Sequence, residues 1–171
     1  MNSPLHARLF LDTEWADSAA RELVSLALVS GDGVQRFYAE VDPLPDAPTP
    51  FVRRVVYPLL ERGAAALSPT AFTRALRTFL AGVAPAEIVY DYGADGALLR
   101  QVLAGTWPVG AVEAAALIPC PAPQLTLMEY GALRDAVEAY FVARPDAAAR
   151  RHHAAVDAEA LRWAVVEKLE W

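Results

Sequence analysis

Three strand-forming runs follow one another near the start of the chain, and their order constrains the fold more than any other feature of the sequence. Residues 7–14 hold a short apolar run that ends in acids, and residues 22–30 and 34–41 are two further runs with strand character. Gly31-Asp32-Gly33 joins the last two runs, which is typical of a tight hairpin. The sequence therefore predicts a buried first strand within a three-strand antiparallel meander.

Apolar residues at helical spacing dominate the rest of the chain. Ser68 as an N-cap, followed by Pro69 in the first helical position, gives the most regular example. Residues 87–91 return to strand character and lead directly into a helix with Asp95 at its start. The predicted helices cover residues 50–63, 68–82, 94–105, 128–145 and 156–171, and the proline-rich stretch 105–128 is expected to hold only short elements. This order predicts an α/β fold in which helices flank a central mixed sheet.

The composition bounds the class of protein. A chain of 171 residues with 55% hydrophobic residues is expected to form a single domain over residues 1–171. No apolar run approaches the roughly 20 residues that span a bilayer, and the single cysteine, Cys120, excludes an intrachain disulfide. Without a secretory signal pattern, we expect a cytoplasmic protein with no membrane partner. The net charge of −6 argues against a broad polyanion-binding surface but allows a local basic rim.

Two acids end the first predicted strand. Asp12 and Glu14 are two residues apart, so their side chains point to the same face of the strand. Adjacent carboxylates in a buried position need compensation, which a divalent cation supplies. The alternative is that both acids mark the exit of the strand into a solvated loop, which a lone Asp-x-Glu does not exclude.

A second acidic group lies at the later strand-to-helix junction. Asp95 follows the predicted strand and begins a helix, so N-capping is its ordinary role. Asp91 adds a second carboxylate four residues earlier. Either aspartate is a candidate ligand at this point.

The stretch RRHHAAVDAEALRWA, residues 150–164, places two histidines and an aspartate at the start of the last helix. If the helix starts near residue 153 or 154, Asp157 lies in its first or second turn and His152 lies about one turn before Asp157, on the preceding loop, so both can face one cavity. The alternative is a solvated basic loop with Asp157 placed favourably near the helix N-terminus.

Together, the acidic pair, the junction aspartate and the His-x4-Asp match a known arrangement in order and spacing. The chain resembles the DEDD superfamily of 3′-to-5′ exonucleases in its histidine-containing variant, which includes ribonuclease T, oligoribonuclease and proofreading domains. The resemblance extends from Asp12 to Trp163. Within this superfamily, the chain looks most like a bacterial family typified by a small mycobacterial 3′-to-5′ exoribonuclease. The stretches that carry this likeness are FLDTEW, ELVSLALVS, RFYAEV, FVRRVVYPLL, DYGADGALL and RHHAAVDAEALRWA.

The resemblance implies a ribonuclease H-like fold and a two-metal-ion exoribonuclease acting on single-stranded RNA or short oligonucleotides with a free 3′ end. It also implies that two Mg²⁺ or Mn²⁺ ions are held by four acids and that His152 is the general base. The four acids are Asp12, Glu14, Asp95 and Asp157. The chemistry agrees, because carboxylates suit hard cations and a histidine can accept a proton near neutral pH.

Two choices within the site follow from the family pattern. His152 is preferred to His153 because only His152 has the five-residue offset from Asp157. Asp95 is preferred to Asp91 because large apolar residues of a helix follow it closely, although Asp91 can support or replace it.

Contacts to the substrate are less constrained by the pattern. Trp15 stands where many members of the superfamily have Phe or Thr followed by Gly, so it is predicted either to stack on a base or to be buried. Arg53, Arg54, Arg150 and Arg151 are candidates for a basic rim that holds phosphates, the alternative being a solvated face.

Other functions remain open from the sequence alone. One is a non-catalytic nucleic-acid-binding or interaction module with the same fold, and another is a metal hydrolase for small phosphate esters or nucleotides. A homodimer is also possible, with the apolar helices at 130–143 and 155–171 as candidate interfaces.

Overall fold

The computed structural model describes residues 7–129 and 131–171. These residues form an α/β structure in which a six-strand mixed sheet is flanked by helices. The strands are β1 Ala7–Trp15, β2 Leu23–Ser30, β3 Arg36–Val41, β4 Ala66–Leu67, β5 Ala86–Tyr90, β6 Thr106–Trp107, β7 Gly110–Ala111 and β8 Gln124–Leu127. The helices are α1 Pro69–Val83, α2 Gly93–Ala104, α3 Gly131–Val142, α4 Pro145–Ala148 and α5 Ala154–Trp163. Shorter helical turns cover Val52–Val56, Tyr57–Leu59, Gly63–Ala65, Ala114–Ala116 and Ala164–Lys168.

The strand order in the main sheet is β4-β3-β2-β1-β5-β8. β1, β2 and β3 pair antiparallel, which confirms the predicted meander, and β5 and β8 continue the sheet in parallel with β1. The hairpin closes where the N–H of Gly33 donates to the carbonyl of Ser30 at 2.7 Å. The mixed sheet predicted from the sequence is therefore confirmed.

Both faces of the sheet are covered by helices. Leu9 and Leu11 of β1 pack toward the layer formed by α1 and α2, whereas Phe10 packs toward α3 and α5. This alternation is the period of a strand whose two faces are buried. It means that side chains leaving β1 on opposite faces meet different helices.

The helical segment after β3 differs from its prediction in the face that it buries. Four apolar residues stand at helical spacing in this part of the sequence: Phe51, Val55, Leu59 and Leu60. The buried residues are instead Val52 and Val56, and Phe51 is 46% exposed. A wide helical turn over Val52–Val56 shifts the phase of the side chains relative to a regular helix. Phe51 is consequently free to line a cavity.

The region 105–128 holds only short elements, as the sequence predicts. One of them, the four-residue strand β8, joins the main sheet by pairing with β5, which the proline-rich sequence did not indicate. In α5, the apolar residues Ala158 and Leu161 pack with Phe10 of the sheet, and the homodimer with an interface on this helix stays a prediction. For the other candidate helix, Tyr130 lies outside the described residues, and the rest stays a prediction.

No helix among residues 7–129 and 131–171 has the length and apolar character needed to cross a membrane.

Candidate active site

The two acids of β1 lie where the strand leaves the core between two helices. Asp12 and Glu14 project from the same face as Phe10, which is the face covered by α5. Thr13 projects from the opposite face, toward α2. The end of β1 therefore presents two carboxylates on the side of α5 and a hydroxyl on the side of α2.

Asp95 is fixed by Thr13. Its Oδ1 accepts hydrogen bonds from the backbone N–H of Thr13 at 3.1 Å and from Thr13 Oγ1 at 2.6 Å, and the residue is 1% exposed. Tyr92, not Asp95, occupies the N-cap position of α2, so the capping alternative for Asp95 is wrong. The second carboxylate oxygen, Oδ2, is buried and has no hydrogen-bond partner among the described residues.

Asp157 lies in the first turn of α5 and holds the preceding turn. Its Oδ2 accepts the backbone N–H of His152 at 3.1 Å. His152 has a φ of 73°, a left-handed conformation that is uncommon for a residue other than glycine and that needs support from its surroundings. Ligand atoms of Glu14, His152 and Asp157 all lie within 4.8 Å of one another.

The four predicted ligands and His152 line one cavity of about 410 Å³. Asp91 also lines this cavity, beside Asp95, and extends to a neighbouring groove. His153 does not contribute: its ring is 1% exposed and stacks on Tyr38 with 4.6 Å between the ring centroids. Of the two histidines, the one that the family pattern prefers, His152, therefore lines the cavity, and His153 lies outside its lining.

Burial raises the pKa of all four carboxyl groups, and neighbouring acids add to the effect. The pKa of Glu14 rises to about 9, that of Asp95 to about 7 and that of Asp157 to about 7. The pKa of Asp12 is well above its ordinary value, since burial is reinforced by Asp157 and Asp95. The protein alone thus holds these acids in a state that favours protonation or a bound cation.

Aromatic rings form two walls of the cavity. Trp15 is stacked on Tyr92, with ring centroids 5.6 Å apart and planes 10° apart, and Tyr92 is 58% exposed. Phe51 meets the imidazole of His152 edge-to-face at 5.0 Å. Sequence reasoning singled out Trp15 but missed Tyr92 and Phe51. The available signal for Tyr92 was its place between two candidate acids.

The arginines of the predicted basic rim do not line this cavity. Arg150 contacts Glu61 at 3.5 Å, and Arg151 forms a two-bond ion pair with Glu138. Arg151 lines the neighbouring groove, while Arg53 and Arg54 are exposed on the helical segment after β3. A role for these arginines in holding phosphates stays a prediction.

Comparison with known proteins finds no family model and no curated protein that matches this chain.

Proposed function

We propose that this chain is a metal-dependent 3′-to-5′ exonuclease that acts on single-stranded RNA or short oligonucleotides. Three buried carboxylate oxygens that have no hydrogen-bond partner among the described residues carry the proposal. They are Asp12 Oδ2, Asp95 Oδ2 and Asp157 Oδ1. An unpaired buried anion is costly, and a cation at this cavity removes that cost.

The donor set fits Mg²⁺ or Mn²⁺. The proposed ligands are carboxylates, whose oxygens hard divalent cations prefer. The single cysteine of the sequence, Cys120, does not line the cavity. Asp12, Glu14, Asp95 and Asp157 would hold two such ions. When bound, the ions would supply activation of a water and stabilisation of the charge on the attacking and leaving oxygens of a phosphodiester.

The protein's own groups would orient the reaction. Burial, and then the nearby guanidinium of Arg151, lower the pKa of His152, so its imidazole is neutral at neutral pH. A neutral imidazole can accept the proton of the attacking water. Thr13 holds one oxygen of Asp95, which keeps that carboxylate in a fixed orientation.

The aromatic walls support a nucleic-acid substrate. Because Tyr92 covers one face of Trp15 and is itself largely exposed, the pair offers the ring of Tyr92 as a surface for a base. Stacking tolerates every base, which suits an enzyme that trims single strands without regard to sequence.

The sheet supports the finer assignment of the fold. We propose a ribonuclease H-like fold, because an antiparallel meander followed by parallel strands is the arrangement that the resemblance implies. We also propose a cytoplasmic location, with which a single cysteine agrees.

The deciding experiment is a time course on matched 3′-labelled RNA and DNA oligomers with Mg²⁺, Mn²⁺ or EDTA. Asp12→Ala and His152→Ala should each abolish trimming, and Asp135→Asn, an exposed aspartate on α3, is the control. Unchanged trimming in either site variant would refute the proposal. Mononucleotide esters tested alongside would identify a small-phosphoester hydrolase instead.

A further inference from the structure

The turn that carries His152 is tied to the rest of the protein on two sides. Arg151, before His152, is held by Glu138 of α3 through two hydrogen bonds. Arg150 and His153, which flank the turn, both face a single residue, Glu61. Since the left-handed backbone of His152 needs external support, these contacts bear on where its imidazole lies.

Glu61 reaches both flanking residues with one oxygen. Its Oε1 lies 3.5 Å from Arg150 Nη2 and 3.4 Å from His153 Nε2. The ring of His153 is buried, and neither of its nitrogens has a hydrogen-bond partner among the described residues. Glu61 is the acid that lies within 4 Å of Nε2. The side chain of Glu61 is 54% exposed and makes no contact with the cavity of the proposed active site.

A buried carboxylate fixes the backbone of Glu61. Glu40 of β3 is fully buried, and its oxygens accept the N–H groups of Glu61 at 2.6 Å and Arg62 at 3.0 Å. Glu40 also accepts the hydroxyl of Tyr38 at 2.7 Å, and Tyr38 stacks on His153. Glu40, Tyr38, His153 and Glu61 therefore form a closed ring of contacts between β3 and the turn.

We propose that Glu61 is a positioning residue for His152, with Glu40 as its anchor on the sheet. Glu61 touches neither the reacting atoms nor the proposed ligands; it acts by fixing the residues on either side of the proposed general base. This inference rests on the proposed function for its effect on catalysis. The effect on the conformation of the turn that carries His152 can be measured without any enzymatic activity.

The test compares Glu61→Ala with Glu113→Ala, an exposed glutamate beside α1 and away from the turn. Glu61→Ala should lower kcat by about tenfold with little change in KM, since misplacing a catalytic group lowers the rate of the chemical step. The backbone amide of His152 should exchange with solvent faster. Glu61→Gln, which keeps an acceptor, should restore most of the kcat and most of the protection of the His152 amide. Glu113→Ala should match the wild type.

The two proposals fail in different ways. If Glu61→Ala matches Glu113→Ala in both kcat and amide exchange, the positioning role is overturned. If the wild-type protein trims no oligonucleotide, the exonuclease proposal is overturned, and the exchange rate of the His152 amide then decides the positioning role alone. Equal thermal unfolding of the two variants confirms that any difference is local.

Discussion

Asp157 accepts the backbone N–H of His152 at 3.1 Å, so one proposed metal ligand also fixes the backbone of the proposed general base. The proposed metal binding and the proposed proton transfer are thereby coupled through the side chain of Asp157. Only Oδ2 is used in this contact, and Oδ1 is buried with no hydrogen-bond partner in the part of the chain that the structure describes. This contact gives a physical reason for the five-residue spacing between His152 and Asp157.

Replacing Asp157 by asparagine should separate these roles. Asparagine keeps a carbonyl oxygen that can accept the His152 N–H, but it removes the charge. We expect loss of activity by at least about a hundredfold, together with a gain in metal-free stability of about 1 to 3 kcal/mol at pH 8, because a buried, repelled anion is gone. Oligonucleotide trimming and denaturant unfolding measure the two effects. Asp157→Ala should lose activity and also disorder the turn; retained trimming in Asp157→Asn would contradict the prediction.

The metal-free protein should become less stable as the pH rises. Glu14, Asp95 and Asp157 have folded-state pKa values of about 9, 7 and 7, above the ordinary values of the unfolded chain. At these three carboxyls the folded state therefore binds more protons than the unfolded state from about pH 4 to pH 9, and their contribution to stability falls through that window. Thermal unfolding in EDTA should show a lower Tm at pH 8.5 than at pH 5.5. Mg²⁺ or Mn²⁺ should raise Tm most at the higher pH, and an equal rise at both would count against a cation site.

Thr13→Val should weaken metal binding at the site without changing the shape of the site. The substitution keeps the branched side chain but removes the hydroxyl that donates to Asp95 Oδ1 at 2.6 Å. Because that bond favours the charged form of Asp95, we expect Mn²⁺ affinity to fall by about tenfold. Calorimetric titration with Mn²⁺ measures the change. Thr13→Ser keeps the donor and should stay within about twofold of the wild type; equal loss in both variants would show that the hydroxyl is not responsible.

Tyr92→Ala should affect substrate binding more than turnover. The exposed ring of Tyr92, stacked on Trp15, is the proposed surface for a base. Loss of one stacking contact is worth about 1 to 3 kcal/mol, so KM for a short RNA should rise by roughly tenfold or more while kcat changes less. Tyr92→Phe keeps the ring and serves as the control. A similar KM rise in Tyr92→Phe would assign the effect to the hydroxyl instead.

Much of the fold could be read from local patterns. The hairpin at Gly31-Asp32-Gly33 and the start of α1 at Ser68 were both predicted, because turns and caps depend on residues close in the chain. β8 was missed because it is short, lies between prolines and a helix, and gains its structure from pairing with β5, far away in sequence. The buried face after β3 was misassigned because a wide helical turn changed the spacing.

The sequence by itself determined which residues form the acidic and histidine set, since their order and spacing are properties of the chain. Only the tertiary structure decided what surrounds them. Thr13 rather than a helix end holds Asp95, and Tyr92 rather than Trp15 presents the more open ring. Arg150 and Arg151 pair with acids outside the cavity. Each of these outcomes depends on groups brought together by packing across the sheet, and local spacing carries no information about such contacts.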